Sequence, residues 1–153
     1  MLLMSKFPIK TIETIIIPDP VEKNDYEYFE TRCIIKAVVD CGCDVTFMVS
    51  HFGLAKQERI NAVQTVCDLL GKNPEKSVIM GDYNTNPDHE FLVPIYNIMK
   101  DTAQGENMLT YPSDAPVEKL DYIFVSNDIK INNAYVAPEI GSDHCAYITE
   151  VEL

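Results

Sequence analysis

A mixed α/β sandwich is the fold class that this chain of 153 residues predicts, on three observations. β-branched, apolar runs of strand length recur along it, one long amphipathic helical pattern interrupts them, and the last strands follow one another in hairpin-like fashion. With 46% apolar and 24% charged residues the composition is that of a globular protein, neither disordered nor fibrous. Size scaling gives roughly 7,800 Å² of folded surface against about 25,000 Å² unfolded. That is enough burial for one core, and residues 1–153 are expected to form a single domain.

Each element has a local cause. Lys10 to Ile17 is β-rich and must stop at Pro18-Asp19-Pro20. The acidic, aromatic stretch Val21 to Glu30 reads as a surface excursion. Thr31 to Asp40 and Asp44 to His51 are apolar strands, with Cys41-Gly42-Cys43 as the hairpin turn between them. Leu54 to Leu70 is the clearest helix: Ile60, Val63, Cys67 and Leu70 recur at helical spacing as one apolar face, and Gly71 stands as its stop. Ser77 to Met80 reads as a short buried strand. Asn86-Pro87 reads as a cap and first turn for a helix over Pro87 to Ile98. Leu120 to Ser126, Ala134 to Ala137 and Ala146 to Glu152 complete the strands.

Charge and cysteine usage narrow the functions. Twelve Lys and Arg stand against 24 Asp and Glu, a formal charge of −12, which argues against holding nucleic acid by broad charge attraction. It leaves room for an enzyme that meets phosphate through a metal ion. No apolar run approaches the roughly 20 residues that cross a bilayer, and no signal-peptide pattern opens the chain. The five cysteines are odd in number and lack a Cys-x-x-Cys, so they are expected as reduced thiols, used as small hydrophobes in a cytoplasmic protein. Cys41-Gly42-Cys43 alone makes no closed metal site. His89 has Val93, not a second His, four residues on, which excludes a zinc-protease helix. Cys145 neighbours His144 on a strand-like run, so the two side chains point apart and a thiol–imidazole couple is not expected.

Four segments share one pattern, an apolar strand whose end delivers polar residues into a turn. They are Phe47 to His51, Val78 to Asn84, Leu120 to Ser126, and Gly141 to Cys145 with Ser142-Asp143-His144 inside it. Sites in α/β proteins form where strand ends converge. In this order the segments resemble the endonuclease/exonuclease/phosphatase superfamily, in which a strand-end His, a Gly-Asp-Phe/Tyr-Asn element, an Asp-Tyr-Ile-like strand and a Ser-Asp-His recur. Gly81-Asp82-Tyr83-Asn84 and Ser142-Asp143-His144 are the specific matches.

The resemblance implies a DNase I-like α/β sandwich of mixed sheets flanked by helices, and metal-dependent hydrolysis of phosphate esters. Asp82 would orient or deprotonate the attacking water, and Asn84 would fix the water or a phosphate oxygen. His144 would hydrogen-bond the phosphate or move a proton, with Asp121 holding its tautomer. His51 would donate to the phosphate, Asp143 would sit at the metal, and Tyr111 would stand on the substrate side. The ion implied is Mg²⁺ or Mn²⁺. The substrate, a small molecule or a nucleic acid, is left open by these residues.

Ser5-Lys6-Phe7-Pro8-Ile9 resembles a family segment that normally follows a strand-end Asn and a metal-binding Glu. The chain is therefore expected to be the C-terminal part of that domain, with its N-terminal portion missing. Glu13, Glu22, Glu27 and Glu30 lie on the wrong side of the segment to replace that Glu. Weak metal binding follows as an expectation, as does an uncovered apolar face through which the chain forms a homo-oligomer. An inert fragment or interaction module that keeps the fold is the alternative reading.

Overall fold

The computed structural model describes all of residues 1–153. In chain order it runs β1 (Ile9–Ile16), β2 (Cys33–Asp40), β3 (Asp44–His51), α1 (Lys56–Leu70), β4 (Ser77–Asp82), a 3-10 turn (Glu90–Leu92) continuing into α2 (Val93–Tyr96), β5 (Lys100–Asp101), β6 (Asp121–Val125), β7 (Lys130–Val136) and β8 (Tyr147–Glu152). Six strands form one mixed sheet in the order β1-β2-β3-β4-β6-β5, and β7 and β8 pair with each other as a second sheet. The layers are thus helices, six-stranded sheet and two-stranded sheet.

The order follows from the connections. β2 and β3 are joined by the Gly42 turn, where φ is +90°, and pair antiparallel from Ile34↔Ser50 to Asp40↔Asp44. β3 and β4 are parallel, as a crossover through α1 requires. β6 lies antiparallel against β4. One face of β3, β4 and β6 packs Met48, Ile79 and Phe124 under Ala62, Val63 and Val66 of α1 and Ile95 of α2. The other packs Val45, Val78, Ile123 and Val125 under Ile129, with Ile131, Tyr147 and Val151 of the second sheet against them. Burial on both faces explains why Ser77 to Met80 is apolar without alternation.

Two helical expectations need correction. On α1 the buried side chains are Ala62, Val63 and Val66, together with the carboxylate-bearing Glu58, whereas Ile60 is exposed. Val63, Cys67 and Leu70 of the predicted stripe do face the core, but Ala62 and Val66 join them and Ile60 does not. Glu58 accepts from the backbone N–H of Ala55 and of Glu30, closing the first turn and pinning the excursion before β2. The second helix does not run from Pro87 to Ile98. His89 caps it by accepting from Phe91 N–H, and only a 3-10 turn and one α turn form. Pro94, which has no N–H to donate, lies inside that short segment. Among the strands, β7 begins four residues earlier than expected and β5 was not anticipated.

The second sheet is narrow. Its two strands cover part of a six-stranded partner, and each keeps an unpaired outer edge. An apolar groove of about 390 Å³ lies open beside it, lined mainly by Met4, Phe7, Val39, Phe47, Met80 and Val151.

Candidate active site

Strand register assembles most of the site. His51 at the end of β3 pairs with Asp82 at the end of β4, and Asp82 pairs with Asp121 at the start of β6. Residues in register project to the same face of a sheet. Three ionisable side chains separated by 31 and 39 positions therefore form a transverse row at one end of the sheet. Gly81 makes the row possible. Its φ is +142°, and a Cβ there would stand 1.8 Å from the carbonyl oxygen of Ser50 on the adjacent strand.

His144 completes the row from the loop before β8. That loop is tied to the Thr110–Ser113 segment: Ser113 Oγ donates to Ser142 O at 2.6 Å, Ser113 N–H to Asp143 O at 2.8 Å, and Cys145 N–H to Thr110 O at 2.8 Å. Its Nδ1–H donates to Asp121 Oδ2 at 2.7 Å, and its Nε2 lies 3.9 Å from Asp82 Oδ2. His51 Nε2 approaches the same Asp82 oxygen at 3.3 Å. The other oxygen of Asp82 accepts from the backbone N–H of Asn84 at 2.8 Å. Tyr111 lies beside His144, ring centroids 4.9 Å apart.

Electrostatics separate the roles. Burial raises the Asp82 carboxyl above its ordinary value of 3.8, although the Asn84 N–H and His51 pull it down. Burial alone would lower His144, but the hydrogen bond and charge of Asp121 outweigh it and hold the imidazole above 6.5. His51 goes the other way, lowered by burial that the charge of Asp82 only partly offsets. The pocket thus pairs a more basic carboxylate with one imidazole that favours its proton and one that gives it up.

Asn84 is held in the left-handed region at φ +48°. Its Nδ2 donates to Phe52 O at 2.8 Å, and its side-chain oxygen takes no hydrogen bond from the protein. Arg59 fixes the turn by donating from Nη1 to Asn84 O at 2.7 Å while its guanidinium stacks on Phe91. Nothing in the sequence pattern marked Arg59 for this task, because helix and turn meet only in the fold. Lys119 and Thr110, which contact the Asp121 backbone, were missed for the same reason. Cys145 is buried and donates to Ser113 O, away from the row.

The residues present do not by themselves fit a Mg²⁺ or Mn²⁺ site. Such ions need several oxygen ligands converging on one point, and no three acidic, histidine or cysteine side chains do so. Asp121 is engaged by His144, and Asp143 is fully exposed and accepts from Ser142 Oγ at 2.9 Å.

Fold and site together define a class: α/β sandwich proteins that gather aspartates and histidines from several strand ends over one end of a mixed sheet. The chain belongs to the Endonuclease/Exonuclease/phosphatase family, whose model matches residues 1–144. No curated protein matches the sequence. Among solved structures it is similar to a mannosyl-6-phosphatase of Bacteroides thetaiotaomicron, with a TM-score of 0.79 at 17% identity over 97% of this chain and 68% of that one. It is also similar to D. rerio TDP2 complexed with a single-strand DNA product, with a TM-score of 0.71 at 17% identity over 95% of this chain and 68% of that one. For the human Nocturnin catalytic domain with bound sulfate the TM-score is 0.59 at 16% identity, over 94% of this chain and 60% of that one. These likenesses are of fold, and the chain spans between 60% and 68% of the length of the three structures.

Proposed function

We propose that this chain hydrolyses phosphate esters at the row formed by His51, Asp82, Asp121 and His144. The observation that carries the reading is the Asp121–His144–Asp82 arrangement, in which one carboxylate orients an imidazole toward a second, more basic carboxylate. A phosphoryl centre needs an activated water and stabilisation of its charged oxygens. Asp82 accepts a proton from the water, which the side-chain oxygen of Asn84 helps to aim. The water oxygen then bonds to phosphorus as the ester P–O bond breaks, and the leaving oxygen departs with the electron pair.

The 3.9 Å between His144 Nε2 and Asp82 supports one role for the imidazole. Attacking and leaving oxygens lie on opposite sides of phosphorus, and each proton partner stands a further ~2.8 Å out. An acid and base serving opposite ends therefore need a much longer separation. His144 serves the same side as Asp82, with its Nε2–H on a non-bridging phosphate oxygen. No step here runs through a metal ion, and binding of Mg²⁺ or Mn²⁺ by this chain alone is expected to be weak. The five unpaired thiols support a cytoplasmic setting.

The test is turnover of bis(p-nitrophenyl) phosphate, whose leaving group needs no acid, with and without added MgCl₂ or MnCl₂. Asp82→Asn and His144→Gln should each lower kcat by about 10²-fold or more. Turnover that is absent, or indifferent to both substitutions, rejects the reading and favours a non-catalytic interaction module. The incomplete metal ligand set is the observation behind that second reading.

A further inference from the structure

Lys119 is the most deeply buried lysine of the chain, with only 3% of its surface exposed. Its ammonium lies 3.9 Å from the ring centroid of Tyr122 and 4.8 Å from that of Tyr147, and 3.5 Å from Asp101 Oδ2. It donates to the main-chain carbonyl of Asp121 at 3.2 Å. Burying an ammonium is costly unless it is paired. Core packing alone would be served better by an apolar residue at position 119.

The partner explains the expense. The backbone N–H groups of Leu120 and Asp121 both reach the hydroxyl of fully buried Thr110, at 3.3 Å each. The Asp121 residue is therefore gripped at both ends, its N–H by Thr110 and its C=O by Lys119. The carboxylate projects from that fixed backbone to accept from His144 Nδ1–H. Burial pushes Lys119 below the ordinary lysine value, while the charges of Asp101 and Asp121 act to keep it protonated, so the cation and the Asp121 carboxylate are within electrostatic reach.

We propose that Lys119 is a positioning residue that acts through Asp121. It fixes the direction of the carboxylate that holds the Nδ1–H of His144, and so aims the Nε2–H of the protonated ring at the phosphate; in the neutral ring the same contact selects the tautomer with its proton on Nδ1. The inference rests on the reading of Asp121 and His144 as working machinery, but its first test does not need turnover.

Imidazole nitrogen shifts, measured by long-range proton–nitrogen NMR at a pH where the rings are neutral, report the tautomer of His144 directly. Wild type should show the Nδ1–H form. Lys119→Met, similar in length but uncharged, should show a mixture, and Lys119→Arg should keep the wild-type signature. With the aryl ester, Lys119→Met should lose about tenfold in kcat at unchanged KM, with Arg restoring most of it. Should Lys119→Met fail to fold, Asp101→Asn loosens the ammonium without removing it, and it should shift the tautomer in the same direction. A wild-type tautomer in Lys119→Met or, where that variant does not fold, in Asp101→Asn overturns the proposal, as does equal loss in the Met and Arg variants. If no variant or wild type turns over, the NMR result still decides for or against Lys119 while the hydrolase reading fails separately.

Discussion

Tyr83 shows how a site motif and a core position share one residue. It follows Asp82, is fully buried, and stacks on Phe52 with ring centroids 4.2 Å apart. Its hydroxyl has no hydrogen-bond partner within the protein. A buried polar group left unmatched costs on the order of 1–3 kcal/mol. Tyr83→Phe should therefore stabilise the protein by about 1 kcal/mol, seen as a higher urea midpoint at unchanged slope. A fall in stability would mean that the hydroxyl has a partner after all. At the same scale, the proposed chemistry needs Asp82 ionised and His144 protonated. Asp82 is raised from 3.8 and His144 from 6.5, so the profile of kcat/KM against pH should be a bell displaced upward at both limbs. Replacing Asp121 by Asn removes the largest influence that raises His144 and leaves only the charges of Asp82 and Asp143 against burial, so the alkaline limb should move to lower pH. An unmoved limb would detach His144 from the profile.

Elements set which residues can meet. β3 and β4 approach closely at Ser50 because Gly81 lets its carbonyl pass, and the Gly81 φ of +142° is one that other residues resist. Gly81→Ala should cost about 3–5 kcal/mol through clash and backbone strain together. Circular dichroism melts should show it, and a loss below 1 kcal/mol would contradict the close approach. The hairpin and the Asp121 strand were legible in the sequence, since β-branched runs bounded by turns leave little freedom. The helices were less so. Periodicity marked α1 but not which side of it faces the sheet, because several apolar stripes overlap on a helix rich in Ala and Val. At 87–98 the cap and proline signals misled: Asn86 donates to Glu118 instead of capping, and His89 caps a shorter helical segment with Pro94 in the first turn of α2.

At the scale of the molecule the exposed surface is 8665 Å², about a tenth above the roughly 7,800 Å² expected at this size. Part of the excess lies around the open groove, where Met4 is 83% and Phe7 47% exposed, and along the unpaired edges of the second sheet. A second copy of the chain is our proposed cover. The formal charge of −12 opposes it, so association should strengthen with salt as repulsion is screened. Sedimentation velocity should find a dimer at high concentration and salt, weakened about tenfold or more by the double substitution Met4→Glu with Phe7→Glu. A monomer under all conditions would leave this face without a self-partner.

The sequence by itself determined most of the strands and the family pattern, and it singled out His51, Asp82, Asn84, Asp121 and His144 as candidates, because turn chemistry and strand-end motifs are local and leave a linear trace. Tertiary structure alone decided their relations. It placed His144 Nε2 3.9 Å from Asp82, turned the Asn84 amide onto Phe52, left Asp143 out in solvent, and brought Arg59 and Lys119 behind the row. Those facts depend on strand register and loop packing between residues far apart in the chain, and no local pattern encodes such distances.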